Sequence, residues 1–372
     1  MEEERNTVLV APLDWGLGHA TRCIPLIHQL LDQNYDIVLA ADGRAWEFLR
    51  KEFPDLMLIR LPGHKIKYPA KGSFLVKILS IVPAFYRTII KENRILKRII
   101  KEHHIDAVIS DNRYGLWCRK IPSIFIGHQM IIKMPPMINW LERIVHKISL
   151  RFIKRFDECW IPDYKGKFNL AGDLAHKHPL PENFYYIGPL SRFNLKEKNK
   201  NIDDKETGNH ILVILSGPEP QRTILEKRLL NQLEKSNQEA IVVRGVTEKD
   251  GEYQLTPKIR VIHHAQSHVL NSLILEANLV ICRPGYSSIM DLAATGKRAV
   301  FIPTPGQTEQ QYLARYFYKN KIFYYNTQRS FDLEVALEQS QEYEGLQMRY
   351  NPSLLRERIR NLSHLIALKN DQ

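Results

Sequence analysis

Residues 278–312 read NLVICRPGYSSIMDLAATGKRAVFIPTPGQTEQQY and hold two consecutive strand–loop–helix units. Leu279–Cys282 is an apolar run of strand length that breaks at Arg283-Pro284-Gly285. Ser287 and Ser288 then open a helix and are cap candidates. Asp291 lies three residues after Ser288, on the same helical face, and is expected at a solvent-facing helix start. A second apolar run, Ala299–Ile302, passes through Pro303, Pro305 and Gly306 to a helix headed by Glu309, Gln310 and Gln311. At the carboxyl ends of such strands, helix N-termini hold phosphate and a carboxylate holds ribose hydroxyls. Gly285, Ser287, Ser288 and Asp291 therefore form a rim suited to a nucleotide diphosphate.

The same rhythm extends outward in both directions. Strands are expected at Thr7–Leu13, Ile37–Ala41, Leu56–Leu61, Ala107–Ser110 and Ser123–Ile126, with a helix at Ala20–Leu31. A second series runs through His210–Leu215, Ala240–Val243, Arg260–Ile262, the two strands already quoted and Ile322–Tyr324. Short apolar strands alternating with helices predict parallel sheets covered on both faces. Between the series, Leu195–Asn209 is rich in Lys, Asn, Asp and Glu and reads as a linker. The expected organisation is a first domain at 1–194, a linker at 195–209 and a second domain at 210–350, for which the resemblance named below implies acceptor and donor binding respectively. A last helical pattern within 351–368 follows Asn351-Pro352-Ser353, where Pro suits a first turn.

A chain of 372 residues is long enough for two cores. No apolar run reaches bilayer length, and the opening Met-Glu-Glu-Glu-Arg is unlike a signal peptide. Cys23, Cys118, Cys159 and Cys282 are too scattered for a zinc knuckle or a disulfide framework. A reduced, cytoplasmic setting is the expectation. The net charge of +12 asks for an anionic partner, and its placement narrows the choice. Residues 87–102 carry six Lys/Arg against Glu92 and Glu102, and residues 133–155 carry six against Glu142. On a helix, Arg87, Lys91, Arg94, Arg98 and Lys101 form one stripe, with Ile78, Val82, Phe85, Ile89 and Leu96 mostly elsewhere. Arg143, Lys147, Arg151 and Lys154 repeat this beside Leu141, Ile144 and Ile148. Basic amphipathic helices suit an anionic membrane surface, although a solvated face over an ordinary core gives the same pattern. No nucleic-acid-binding motif accompanies the charge.

Near the N-terminus, Leu13-Asp14-Trp15-Gly16-Leu17-Gly18-His19 joins the first strand to a helix. Gly16 and Gly18 permit a tight turn close to a ligand, and an imidazole such as that of His19 is the side chain suited to proton transfer at neutral pH. Together with residues 278–312, this loop resembles the family-28 GT-B glycosyltransferases. The resemblance implies a GT-B fold of two doubly wound Rossmann-like domains with an interdomain cleft. It also implies a UDP-sugar donor, a glycan or lipid-linked acceptor, no cofactor and no catalytic metal. It makes His19 the candidate base in the acceptor loop of Gly16 and Gly18. Gln310 and Gln311 match a pair that contacts the donor sugar, and Asp291 stands where the family usually has Glu. Ser216 and Gly217 match a phosphate loop that here keeps one Gly before Pro218. Arg192, in Gly188-Pro189-Leu190-Ser191-Arg192, matches a segment that would neutralise the departing diphosphate. A helix-ordering role for His19 and a helix-dipole role for Glu309 are the plainer alternatives. A UDP-sugar 2-epimerase shares the fold but needs several cleft carboxylates, and a non-catalytic nucleotide-sugar-binding protein needs no base.

Overall fold

The computed structural model describes residues 5–63, 74–193, 208, 210–246, 251–346, 351 and 353–371, with side chains in the second of these spans from residue 83 onward except at Pro136. The expected linker lies outside these residues apart from Gly208, and the side chains of Ile78 and Val82 lie outside them too.

Two seven-stranded sheets make up the fold. The first has the order β3-β2-β1-β4-β5-β6-β7, from β1 (Thr7–Pro12), β2 (Asp36–Ala41), β3 (Met57–Arg60), β4 (Ala107–Asp111), β5 (Ser123–Ile126), β6 (Glu158–Ile161) and β7 (Phe184–Tyr186). All its neighbours pair in parallel. The second has the order β10-β11-β9-β8-β12-β13-β14. Its strands are β8 (Ile211–Ile214), β9 (Ala240–Val243), β10 (Glu252–Thr256), β11 (Ile259–Ile262), β12 (Leu279–Cys282), β13 (Ala299–Phe301) and β14 (Tyr324–Tyr325). Among the described residues, only the edge strand β10 runs antiparallel, against β11.

Strand alternation explains why both sheets are sandwiched. Val8 and Val10 of β1 enter one core while Leu9 and Ala11 enter another on the opposite face. Val280 and Cys282 of β12 likewise part from Leu279 and Ile281. Successive strand side chains point to opposite faces, so a strand that is apolar at every position must be covered twice. Each fully buried Val, Leu or Ile side chain is worth about 1.5–3 kcal/mol.

Three strands escape the sequence pattern. β6 begins at Glu158, whose carboxylate accepts Trp160 Nε1 at 2.6 Å and pairs with Arg358. A charged residue fits this strand because Trp160, on the same strand, and Arg358, near the C-terminus, satisfy it. β7 is three residues long, and β10 is polar and mostly exposed. β14 starts at Tyr324 rather than Ile322, because Ile322 N–H instead closes the preceding helix onto Phe317.

The C-terminal helix, α11 (Ser353–Asn370), packs on the first sheet's layer rather than the second's. Leu355, Ile359, Leu362 and Ile366 form its buried stripe. Tyr35 donates from its hydroxyl to the Ile359 carbonyl and meets Ser363 Oγ at 2.5 Å, and Lys369 pairs with Asp157 at 2.9 Å. The chain thereby ties its end back to its beginning.

Candidate active site between the two sheets

The candidate residues gather where the carboxyl ends of the two sheets face each other. β1 leads through Gly16, which has φ +76°, into α1 (Gly18–Leu31). No side chain caps α1, so His19 orders the loop by other means. Its Nδ1 lies 3.0 Å from Oδ1 of Asp111, the last residue of β4. Arg22, one turn further along α1, donates from Nε to Asp111 Oδ2 at 2.6 Å and from Nη2 to Oδ1. Burial opposes ionisation of Asp111, but the Arg22 guanidinium and then His19 outweigh it and hold the carboxyl well below its ordinary range. Arg22 Nη2 also lies 2.9 Å from His19 Nδ1, so that nitrogen faces both the Asp111 carboxylate and the Arg22 guanidinium.

A second line of contacts crosses between the sheets. Arg22 Nη1 is 2.8 Å from Nδ1 of His128, just beyond β5. His128 Nε2 is 2.7 Å from Glu309 Oε1, in the first turn of α9 (Thr308–Lys319). The His128 ring stacks on Tyr286 with centroids 4.0 Å apart and planes 8° from parallel. Glu309 therefore does more than complement a helix dipole.

On the donor side, β12 runs through Arg283-Pro284-Gly285 into α8 (Tyr286–Thr295). Gly285 is the N-cap, and no side chain caps the helix, so Ser287 and Ser288 sit inside its first turn rather than capping it. A Cβ at Gly18 would fall 2.7 Å from Ser287 Oγ, so the glycine lets the two helix heads approach. Asp291 is buried, not solvent-facing as expected, because α8 packs on α1 and on the Leu190–Arg192 segment. Its Oδ1 accepts Ser191 Oγ at 2.8 Å, and its Oδ2 lies 3.4 Å from Arg192 Nε. Burial raises its pKa, with Arg192 opposing. Arg192 is no exposed linker side chain; it and Asp291, expected as separate ligands, pair with each other.

The remaining expected residues line the same rim. Gln310 accepts the Thr304 N–H through Oε1 at 2.8 Å, which aims its amide. Gln311 follows it, half-buried. Ser216 is exposed beyond β8, and Gly217 adopts φ +103° with its Cβ position 3.5 Å from Thr304 Oγ1. Asp111, Arg22 and His128 were not among the residues singled out from sequence. The available signal was position: Asp111 ends an apolar strand and His128 follows one, where parallel sheets place their ligands. Among the described residues, no group of three or more His, Cys, Asp or Glu is arranged to hold a metal ion.

Residues 211–349 match the family model described as the glycosyltransferase family 28 C-terminal domain. An uncharacterized glycosyltransferase of Methanosarcina acetivorans is 24% identical over 310 residues, covering 80% of this chain and 79% of that one. The UDP-N-acetylglucosamine–N-acetylmuramyl-(pentapeptide) pyrophosphoryl-undecaprenol N-acetylglucosamine transferase of Pasteurella multocida is 22% identical over 328 residues, covering 84% and 81%. The crystal structure of the kitacinnamycin glycosyltransferase superposes with a TM-score of 0.63 at 14% identity, covering 98% and 96%. With a family-28 C-terminal domain at 211–349 inside a GT-B fold that spans both sheets, the chain is a glycosyltransferase.

Proposed function

We propose that the protein transfers a hexose or N-acetylhexosamine from a UDP-sugar to an acceptor hydroxyl with inversion. The observation that carries this reading is His19 backed by Asp111, facing the head of α8 where Gly18 lies close to Ser287. His19 Nε2 takes the acceptor proton as the acceptor oxygen bonds to the anomeric carbon. The bond from that carbon to the diphosphate breaks on the opposite face, and its electron pair leaves with UDP. The helix N-terminus at α8, Ser216, Gly217 and Arg192 would stabilise that charge. Arg192 can do so once Asp291 turns toward the ribose. The Pasteurella relative is named for a UDP-N-acetylglucosamine donor and a pyrophosphoryl-undecaprenol acceptor, which supports the donor class assigned here.

The acceptor is assigned to an anionic membrane surface. No helix among the described residues is long and apolar enough to cross a membrane, but two helices suit lying on one. In α3 (Phe74–Glu102), Ile89 and Leu96 are buried while Arg87, Lys91, Arg94, Arg98 and Lys101 are exposed. In α4 (Leu141–Ile153) the pattern departs from an ordinary amphipathic helix. Ile144 and Ile148 are about half exposed, in line with Trp140 at 60% and Met137 at 92%. Arg143, Lys147 and Arg151 flank them, also exposed. Phe85 meets Phe152 edge-on at 6.5 Å, so the two helices are neighbours. An apolar ridge rimmed by cations suits insertion among anionic headgroups.

A thermal-shift screen of nucleotide sugars tests the donor assignment. A UDP-sugar at saturating concentration should raise the melting temperature, since ligand binding stabilises logarithmically. No shift with any UDP-sugar, against a clear one with another nucleotide sugar, overturns it.

A further inference from the structure

The head of α9 carries Glu309, Gln310 and Gln311 on the donor side, yet it is fastened from the acceptor side. His128 Nε2 meets Glu309 at 2.7 Å, and Thr308 Oγ1 donates to the Lys133 carbonyl at 2.7 Å. The Lys133 ammonium lies 4.6 Å from the centroid of Tyr312. One loop further on, Asp173 N–H donates to the Tyr312 hydroxyl at 2.6 Å. Segment 128–133 thus holds the first turn of the helix whose glutamines are assigned to the donor sugar.

The chemistry of the His128 contact fixes its direction. A guanidinium donates and never accepts, so Nδ1 facing Arg22 must be the acceptor nitrogen. In the neutral imidazole the proton then sits on Nε2 and is donated to Glu309. Stacking on Tyr286 holds the ring plane, so both nitrogens keep their aim. The charged and titratable groups facing His128 are Arg22 and His19 from α1, Asp111 from β4, Glu309 from α9 and Tyr286 from α8. Burial is the largest influence on His128 and lowers its pKa; Glu309 opposes this, and the charges of Arg22 and His19 add to it. A second ring proton would point an N–H at the Arg22 cation.

We infer that His128 is a positioning residue: its bond to Glu309 fastens the head of α9 across the cleft and sets Gln310 and Gln311 for the donor sugar. This rests on the UDP-sugar reading above. The nucleotide itself is assigned to α8 and the loop after β8, which this bond does not touch. Loss of the bond should therefore weaken recognition of the sugar and spare that of UDP.

Calorimetric titration of the full-length protein with UDP, UDP-N-acetylglucosamine and UDP-glucose tests the inference in wild type, His128→Phe, His128→Gln, Glu309→Ala and the Phe/Ala double variant. Phe keeps the stack on Tyr286 and loses both hydrogen bonds, whereas Gln can accept from Arg22 and donate to Glu309. The Kd for the bound UDP-sugar should rise about tenfold in His128→Phe and in Glu309→Ala, and the Kd for UDP should stay within about twofold. The double variant should lose no more than the worse single one, because both remove one bond, and His128→Gln should recover most of the affinity. Unchanged UDP-sugar affinity in His128→Phe, losses that multiply in the double variant, or an equal loss of UDP binding would each overturn the inference. If His128→Phe does not fold, Glu309→Ala gives the same readout from the helix head alone. Wild-type protein that binds no UDP overturns the donor reading itself, and this inference with it.

Discussion

His19 and Asp111 stand 92 residues apart in the chain and meet at 3.0 Å, where the head of α1 crosses the end of β4. Arg22 grips the same carboxylate from one turn along the helix. Asp111 thus has two partners, the imidazole of His19 and the buried guanidinium of Arg22.

Replacing His19 with Ala should cut turnover about a hundredfold or more, the usual range for a general base. UDP affinity should stay near that of wild type, because the nucleotide is assigned to the second domain. Steady-state kinetics with calorimetry checks both, and normal turnover places the base elsewhere.

Asp111→Asn should cost stability as well as rate. An uncharged partner leaves the Arg22 guanidinium buried without its counter-charge, a change worth about 3 kcal/mol or more. Chemical denaturation measures the loss. His19→Ala removes no buried charge and should leave the midpoint closer to wild type.

The acid limb of stability follows from the same groups. Asp111 and Glu309 both ionise below their ordinary values of 3.8 and 4.5, despite burial, because Arg22 and His128 respectively favour their charged forms. The unfolded chain then binds more protons than the folded one between the folded and unfolded values. Their stabilisation is full above pH 4.5 and is lost as pH falls through the lower folded-state values. Melting temperature measured against pH should drop below that point, and Asp111→Asn should flatten the drop.

Asp291→Ala should weaken UDP binding by about 1.5–3 kcal/mol, the usual loss for a hydrogen bond to a charged group. Asp291 also holds Ser191 and Arg192, so the variant should unfold more easily too. Calorimetry showing unchanged UDP affinity removes Asp291 from the donor site, whatever the stability.

Vesicle sedimentation checks the membrane assignment. Wild type should bind anionic vesicles and not neutral ones, with about 1 kcal/mol from each surface Lys or Arg. Charge reversal at Arg94, Arg98, Arg143 and Lys147 should release it, and raised salt should do the same. Ile144→Ser with Ile148→Ser should weaken binding without changing its salt dependence. Equal binding to both vesicle types returns α3 and α4 to ordinary solvated helices.

Because strand and helix periodicities are local, the sequence alone determined most strands of the two sheets, but not β6, β7 and β10. Leu279–Cys282 and Ala299–Ile302 can be read as strands from their own composition, and so can the glycine turn before His19. It also brought most of the donor rim together, since Gly285, Ser287 and Ser288 follow one strand directly. Only the tertiary structure decided the partners. Asp111 needed β4 to run beside β1 before it could reach His19, and His128 needed the two sheets to face each other before it met Glu309. The burial of Asp291 and the exposure of Ile144 and Ile148 depend on what packs against α8 and what leaves α4 bare. No local pattern encodes either, because solvent access belongs to the whole fold rather than to the helix.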